Sequence, residues 1–223
     1  MYINYNMKKT SLLEDVHNNF KSKDKINILE IGTGDGDNST KILYNFFKEK
    51  YTKINLLSYE GYLDYFRNAE SIWKNSNEVT IVNEYFCKKE DIKNLLIPNI
   101  PNYIIDYKES GERLKNKYRK LYNDKDIKNY IKDINFVPDI IFIDCSRFMH
   151  LPIINLCYEL FKENSNCLFI MEEDYFCNNI CGELAILQKY FKLININKYN
   201  KTSWQTGTLR WPFITFNIEN KLI

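Results

Sequence analysis

Between residues 28 and 39 the chain reads Ile28-Leu29-Glu30-Ile31-Gly32-Thr33-Gly34-Asp35-Gly36-Asp37-Asn38-Ser39. Three glycines at alternate positions let a backbone turn sharply and let a ligand approach with no Cβ in the way. The apolar run Ile26–Ile31 precedes them, and a segment of helical period, Asn38–Lys50, follows. That strand–turn–helix context is what gives glycine spacing its meaning as a cofactor turn. Glu30, two residues before Gly32, selects among cofactors. A carboxylate there opposes the pyrophosphate of a dinucleotide, so an NAD-dependent oxidoreductase is disfavoured. S-adenosylmethionine (SAM) instead offers an ammonium and a sulfonium. The expected cofactor contacts from this segment are Glu30, Gly32, Thr33, Gly34, Gly36 and Ser39. Glu60, followed by Gly61, ends the second apolar run, where a carboxylate can accept both hydroxyls of a ribose. Asn83, Glu84 and Tyr85 follow the third run and are placed to edge an adenine.

A second group of acids follows two later apolar runs, in FIDCSRFMH and FIMEEDYFCNNICGELA. Acids at the ends of neighbouring strands can converge on one hard cation, since Mg²⁺ prefers carboxylate oxygen and water. Methyl transfer to a hydroxyl needs the oxygen in line with the methyl and relieved of its proton. Metal coordination lowers the hydroxyl pKa and fixes its position, and a base then takes the proton. Asp144 and His150 are the candidate bases, His150 because an imidazole titrates near neutrality. Arg147, Tyr175, Trp204 and Trp211 are candidates to shape an acceptor pocket.

These residues require a scaffold that brings strand ends together. Ile26–Ile31, Ile54–Tyr59, Val79–Asn83, Asp139–Asp144 and Cys167–Glu172 read as five short buried strands. Helical patterns at Asn38–Lys50, Gly61–Lys74, Leu151–Glu163 and Asn178–Lys192 alternate with them. Leu193–Tyr199 and Phe213–Ile218 close the chain as two strands, an antiparallel pair at the sheet edge. The alternation predicts an α/β fold, a mostly parallel, doubly wound sheet. Pro98 to Phe136 departs from it: long, polar and helix-prone, this stretch is read as a helical insertion between strands three and four, either solvated or a lid over the crevice. The whole of 1–223 reads as one domain.

With these motifs in view, the chain resembles the class I SAM-dependent methyltransferases over about Ile26 to Phe191. ILEIGTGDGDNS is similar to the family's first motif and SYEG to its ribose-binding acid. The resemblance implies a Rossmann-like, seven-stranded sheet of order 3-2-1-4-5-7-6 with its last strand reversed, and SAM bound over Gly32, Gly34 and Gly36. Within the family, the ends of strands four and five resemble metal-dependent sugar O-methyltransferases of the macrocin and novobiocin type. Carried over, the ligands of a divalent metal, Mg or Mn, are Asp144, Glu173 and Asp174, with Glu173-Asp174-Tyr175 matching an Asp-Asp-Tyr. Ser146 stands where that family has a second acid.

Composition narrows the partners. Lys and Arg number 31 against 29 acids, a net charge of +2, so no electrostatic footprint for nucleic acid is present. The N-terminus lacks an apolar signal core and no apolar run reaches membrane-spanning length, so a cytoplasmic protein without membrane contact is expected. Six cysteines occur without a CxxC pair and are expected as reduced thiols, Cys157 and Cys167 in the core. The excess of Asn, Ile, Lys and Tyr is the bias of an AT-rich genome, such as a viral or protist one. The expected function is SAM-dependent O-methylation of a small hydroxylated acceptor, a sugar or nucleotide-sugar, with a homodimer as the candidate assembly. The alternatives are an RNA or protein methyltransferase and a non-catalytic SAM-binding protein of the same fold.

Overall fold

The computed structural model of the chain describes residues 13–86, 134–145, 167–172 and 213–217, with five helical positions between 153 and 161. A helix over 13–20 (α1) leads into β1 (Lys25–Ile31), α2 (Ser39–Lys48), β2 (Lys53–Tyr59), α3 (Leu63–Trp73) and β3 (Val79–Val82). After the undescribed 87–133 come β4 (Ile140–Ile143), β5 (Leu168–Glu172) and β6 (Phe213–Asn217). Among the described residues the sheet runs β3-β2-β1-β4-β5-β6. The first five strands are parallel, and β6 pairs antiparallel with β5. Leu193–Tyr199 and the helix expected over Asn178–Lys192 lie outside the described residues, as does the insertion from 98 to 133.

A parallel strand covered on both faces must be apolar nearly throughout, and β1 meets that demand: every residue from Ile28 to Ile31 is buried. Side chains alternate between faces. Ile26, Ile28, Ile54, Leu56, Ile140, Phe142 and Ile170 form one core with Leu13, Val16 and Phe20 of α1 and Leu43 and Phe47 of α2. Leu29, Ile31, Leu57, Ile141, Ile143 and Phe169 are buried at the alternate positions and cover the opposite face. Full burial of each such side chain contributes about 1.5–3 kcal/mol. Cys157 and Cys167 are buried free thiols, as the core reading requires, and burial pushes both thiols above their ordinary range.

At the N-terminal edge of the sheet, buried Asp139 enters β4 after Pro138. Its Oδ2 accepts the Asn27 N–H at 2.9 Å and its Oδ1 pairs with the Lys23 ammonium. The strand order turns at β1: the chain winds outward to β2 and β3, then returns to place β4 on the other side of β1. That reversal opens a crevice beyond the C-terminal ends of β1 and β4, the usual ligand position in open α/β sheets. Among the described residues no helix is long and apolar enough to cross a membrane.

Candidate functional site

The glycine turn occupies that crevice. Gly32, Gly34 and Gly36 all have positive φ, at 98°, 56° and 77°. Gly32 donates its N–H to Tyr59 O at 2.9 Å, and Asp144 donates its own to Ile31 O at 2.9 Å. The turn is thereby held between the ends of β2 and β4. The approach to β4 is so close that a Cβ on Gly32 would lie 1.8 Å from Asp144 O, a contact no side chain can make. Gly36 packs as closely on α3: its Cβ would meet Ala69 Cβ at 2.8 Å and Ala69 Cα at 2.9 Å. Gly34 differs, with nothing within 4 Å of the position its Cβ would take. The turn is thus packed at both ends and bare at its middle.

Glu30 lies beneath the turn, wholly buried. Period-two alternation puts it on the face of Ile26 and Ile28, under the start of α2, and parallel pairing sets it opposite Ser58. Its Oε2 accepts the Ser58 hydroxyl at 2.6 Å and the Thr40 hydroxyl at 2.7 Å. Because the Ser58 hydrogen is committed to Glu30, the 2.5 Å contact between Thr33 Oγ1 and Ser58 Oγ has Thr33 as donor. Three hydroxyls from the turn, β2 and α2 therefore converge through one carboxylate. Among the described residues no hydrogen bond of good geometry reaches Oε1. Ser39, also buried, favours the ionised form of Glu30 as Ser58 and Thr40 do. Burial dominates, and pushes the Glu30 carboxyl from its ordinary 4.5 up to about 7; the hydroxyls of Ser58, Thr40 and Ser39 oppose the rise and the Asp144 carboxylate adds to it.

Glu60, directly after β2, is 5% exposed. Its Oε2 accepts the Gly34 N–H and its Oε1 the Tyr62 N–H, each at 2.8 Å. Burial raises its pKa, the N–H groups of Tyr62, Gly34 and Gly61 pull it down, and Asp144 again raises it. The strand ends at Val82 rather than at Asn83, and Asn83 donates from Nδ2 to Glu60 O at 2.8 Å. Glu84 Oε2 is buried without a hydrogen-bond partner, and the Tyr85 ring packs so closely over Gly61 that a Cβ there would fall 2.3 Å from it.

The sequence candidates divide accordingly. Glu30, Gly32, Thr33, Gly34, Gly36, Ser39, Glu60, Gly61, Asn83, Glu84, Tyr85 and Asp144 are all placed at the C-terminal ends of β1 to β4 or on the segments leaving them. Thr33 and Ser39 point their side chains into the protein, leaving only their backbone for a ligand. His150, Glu173 and Asp174 lie outside the described residues; among those described, no three acids, cysteines or histidines are grouped to hold a metal. Two contributors were not anticipated. Ser58 is the one aliphatic hydroxyl in the run INLLSY, and its polarity at a buried position was the available signal. Trp73, at the end of α3, donates from Nε1 to Gly36 O at 2.8 Å, and nothing local in the sequence announces that contact.

No protein family's profile matches the sequence, and no curated protein matches it. Solved structures do match in shape. A class I SAM-dependent methyltransferase of Listeria monocytogenes superposes with a TM-score of 0.58 at 10% identity, covering 97% of this chain and 59% of its own. The fibrillarin/Nop5p complex gives a TM-score of 0.48 at 10% identity over 78% of this chain and 65% of that one. An rRNA methylase of Streptococcus thermophilus gives 0.46 at 10% identity over 93% and 94%. The chain thus spans about three fifths of the length of the Listeria protein and about two thirds of the chain in the fibrillarin complex. The likeness to the Listeria protein is one of fold: the described sheet shares a Rossmann-like α/β architecture with it.

Proposed function

We propose that the protein is a SAM-dependent O-methyltransferase acting on a small hydroxylated acceptor, a sugar or nucleotide-sugar. The observation that carries the cofactor is the charge around the bare glycine turn. The Asp144 carboxylate acts on both Glu30 and Glu60 there, and the other groups acting on those two acids are hydroxyls and backbone N–H groups. Such a site repels a pyrophosphate and favours a cation. The residues fit SAM on a further count: among the described residues the buried Glu84 Oε2 has no hydrogen-bond donor, and SAM brings N–H donors. Glu60 retains lone pairs for ribose hydroxyls beside the two backbone N–H groups it already accepts.

When bound, SAM supplies an electrophilic methyl on its sulfonium. The chain's share of the reaction is to seat the cofactor on the turn, exclude water from the crevice and take the proton from the acceptor hydroxyl. Asp144 or His150 is the base in this reading. The divalent metal at Asp144, Glu173 and Asp174 belongs to the same reading and rests on the sequence pattern, as do the full order 3-2-1-4-5-7-6 and the identity of the acceptor. Calorimetry tests the cofactor: SAM and S-adenosylhomocysteine should bind at micromolar strength and NAD should not. NAD binding without SAM binding would overturn the proposal. SAM binding with no methyl transfer to any of a panel of nucleotide-sugars, RNA and protein would favour the non-catalytic alternative.

A further inference from the structure

Three consecutive residues of the glycine turn are each bonded to the segment that runs from β2 into α3. Gly34 N–H donates to Glu60 Oε2 at 2.8 Å, Asp35 Oδ1 accepts from Asn68 Nδ2 at 2.8 Å, and Gly36 O accepts from Trp73 Nε1 at 2.8 Å. Helix α3 lies against β3 and buries little of its own side-chain surface. Ala69 is its one buried side chain, and that side chain packs against Gly36; Leu63, Tyr65 and Ile72 are each 48% exposed. The Trp73 ring also meets Tyr44 of α2 edge-on, with centroids 5.1 Å apart. An amphipathic helix is ordinarily fixed by an apolar stripe against the sheet. Here one residue, Trp73, joins α3 at once to the core, to the turn and to the helix the turn begins.

We propose that α3 positions the glycine turn for the cofactor, and that Trp73 is the positioning residue that does most of it. This rests on the proposed function. The three bonds are not equivalent. Glu60 is also the acid expected to accept the ribose, so a bound cofactor competes with Gly34 for its oxygens. Asn68 and Trp73 have no such second duty, and their bonds hold Asp35 and Gly36 in place while Glu60 is drawn to the ligand. Of the two, Asn68 to Asp35 is solvent-exposed and Trp73 to Gly36 is partly buried, so the indole bond is the less screened by water. Without it the turn samples positions in which the bare face at Gly34 no longer meets the cofactor, and apparent affinity falls by the fraction of time the competent form is lost.

The test uses the full chain and S-adenosylhomocysteine as the probe. Trp73→Phe keeps an aromatic ring against Tyr44 and removes the N–H. It should weaken S-adenosylhomocysteine by roughly five- to tenfold, the size of one lost neutral hydrogen bond. The KM for SAM should rise by a like factor, while kcat at saturating SAM and the acceptor KM stay within twofold. In the wild type, the indole N–H resonance that disappears in the variant should shift on ligand binding. A purely structural role would instead lower the active fraction and kcat together. If Trp73→Phe fails to fold, Asn68→Ala carries the test with a smaller expected loss, about threefold. Wild-type affinity in both variants overturns the positioning role and leaves the proposed function standing. Absence of SAM and S-adenosylhomocysteine binding in the wild type itself overturns the proposed function, and this inference with it.

Discussion

Glu30 provides a measurable consequence of burying an acid beneath the turn. Its folded-state pKa of about 7 lies above the ordinary 4.5, so the folded protein holds this proton more tightly than the unfolded chain does. The stabilisation the proton confers is complete below pH 4.5 and is lost as pH rises towards 7, with no further change above it. The full interval converts to roughly 3 kcal/mol at about 1.36 kcal/mol per pH unit, and most of it falls between pH 5 and pH 8. Glu30→Gln abolishes the titration. Its carbonyl can still accept from Ser58 and Thr40, but its NH₂ replaces Oε1 and becomes a buried donor, costing about 1–3 kcal/mol at every pH.

Urea unfolding of the ligand-free protein, followed by circular dichroism at pH 5 and pH 8, separates these effects. At pH 5 the variant should be the less stable protein by about 1–3 kcal/mol. At pH 8 the gap should close or reverse, because only the wild type has lost stability through Glu30. Other titrating groups, such as Glu60 with its pKa also raised and Glu78 with its pKa lowered by the Lys48 ammonium, act in both proteins and drop out of the comparison. Parallel pH dependence in the two proteins would refute the argument, and would mean that Glu30 is ionised at little cost in the folded state.

The remaining predictions concern the turn and the metal. Gly34→Ala should cost about 1–2 kcal/mol of stability, the left-handed backbone term alone, since its Cβ meets nothing; cofactor binding should nevertheless be lost, because that Cβ occupies the bare face. Gly36→Ala should cost more, because the new Cβ also requires the Ala69 backbone to move; equal unfolding midpoints for the two variants would contradict the packing described. EDTA should abolish methyl transfer, Mg²⁺ or Mn²⁺ should restore it, and Asp174→Asn should weaken both metal binding and rate. Full activity in EDTA would leave Asp144 or His150 as a metal-free base.

The core of this fold was legible because its signals are local. Continuous apolar runs gave β1 to β5 to within a residue or two, and the glycines after the first run placed the turn. The acids at Glu30, Glu60 and Asp144 were legible by position, at or just beyond strand ends. What each acid touches was not, because that depends on register between strands distant in sequence. Glu30 was read as facing a ligand, yet alternation alone places it on the face of Ile26 and Ile28, and pairing with β2 then sets it against Ser58. Trp73 was invisible for a similar reason. Its partner, Gly36 O, is a backbone atom 37 residues away, and no periodicity in the sequence marks such a contact.

The arrangement of acids and glycines is best understood as one device. A backbone turn with positive φ at three positions has little of its own to hold it, since glycine adds conformational freedom and no side-chain contacts. The chain compensates from below with Glu30, which gathers hydroxyls from the turn, β2 and α2, and from the side with Glu60, Asn68 and Trp73. The compensation has an electrostatic cost, because burial and the Asp144 carboxylate both raise the pKa of Glu30 and of Glu60. A neutral or anionic ligand would leave that cost in place. A cation seated on the bare face at Gly34 would relieve it, so the groups that shape the turn are also the groups that choose the charge of what it binds.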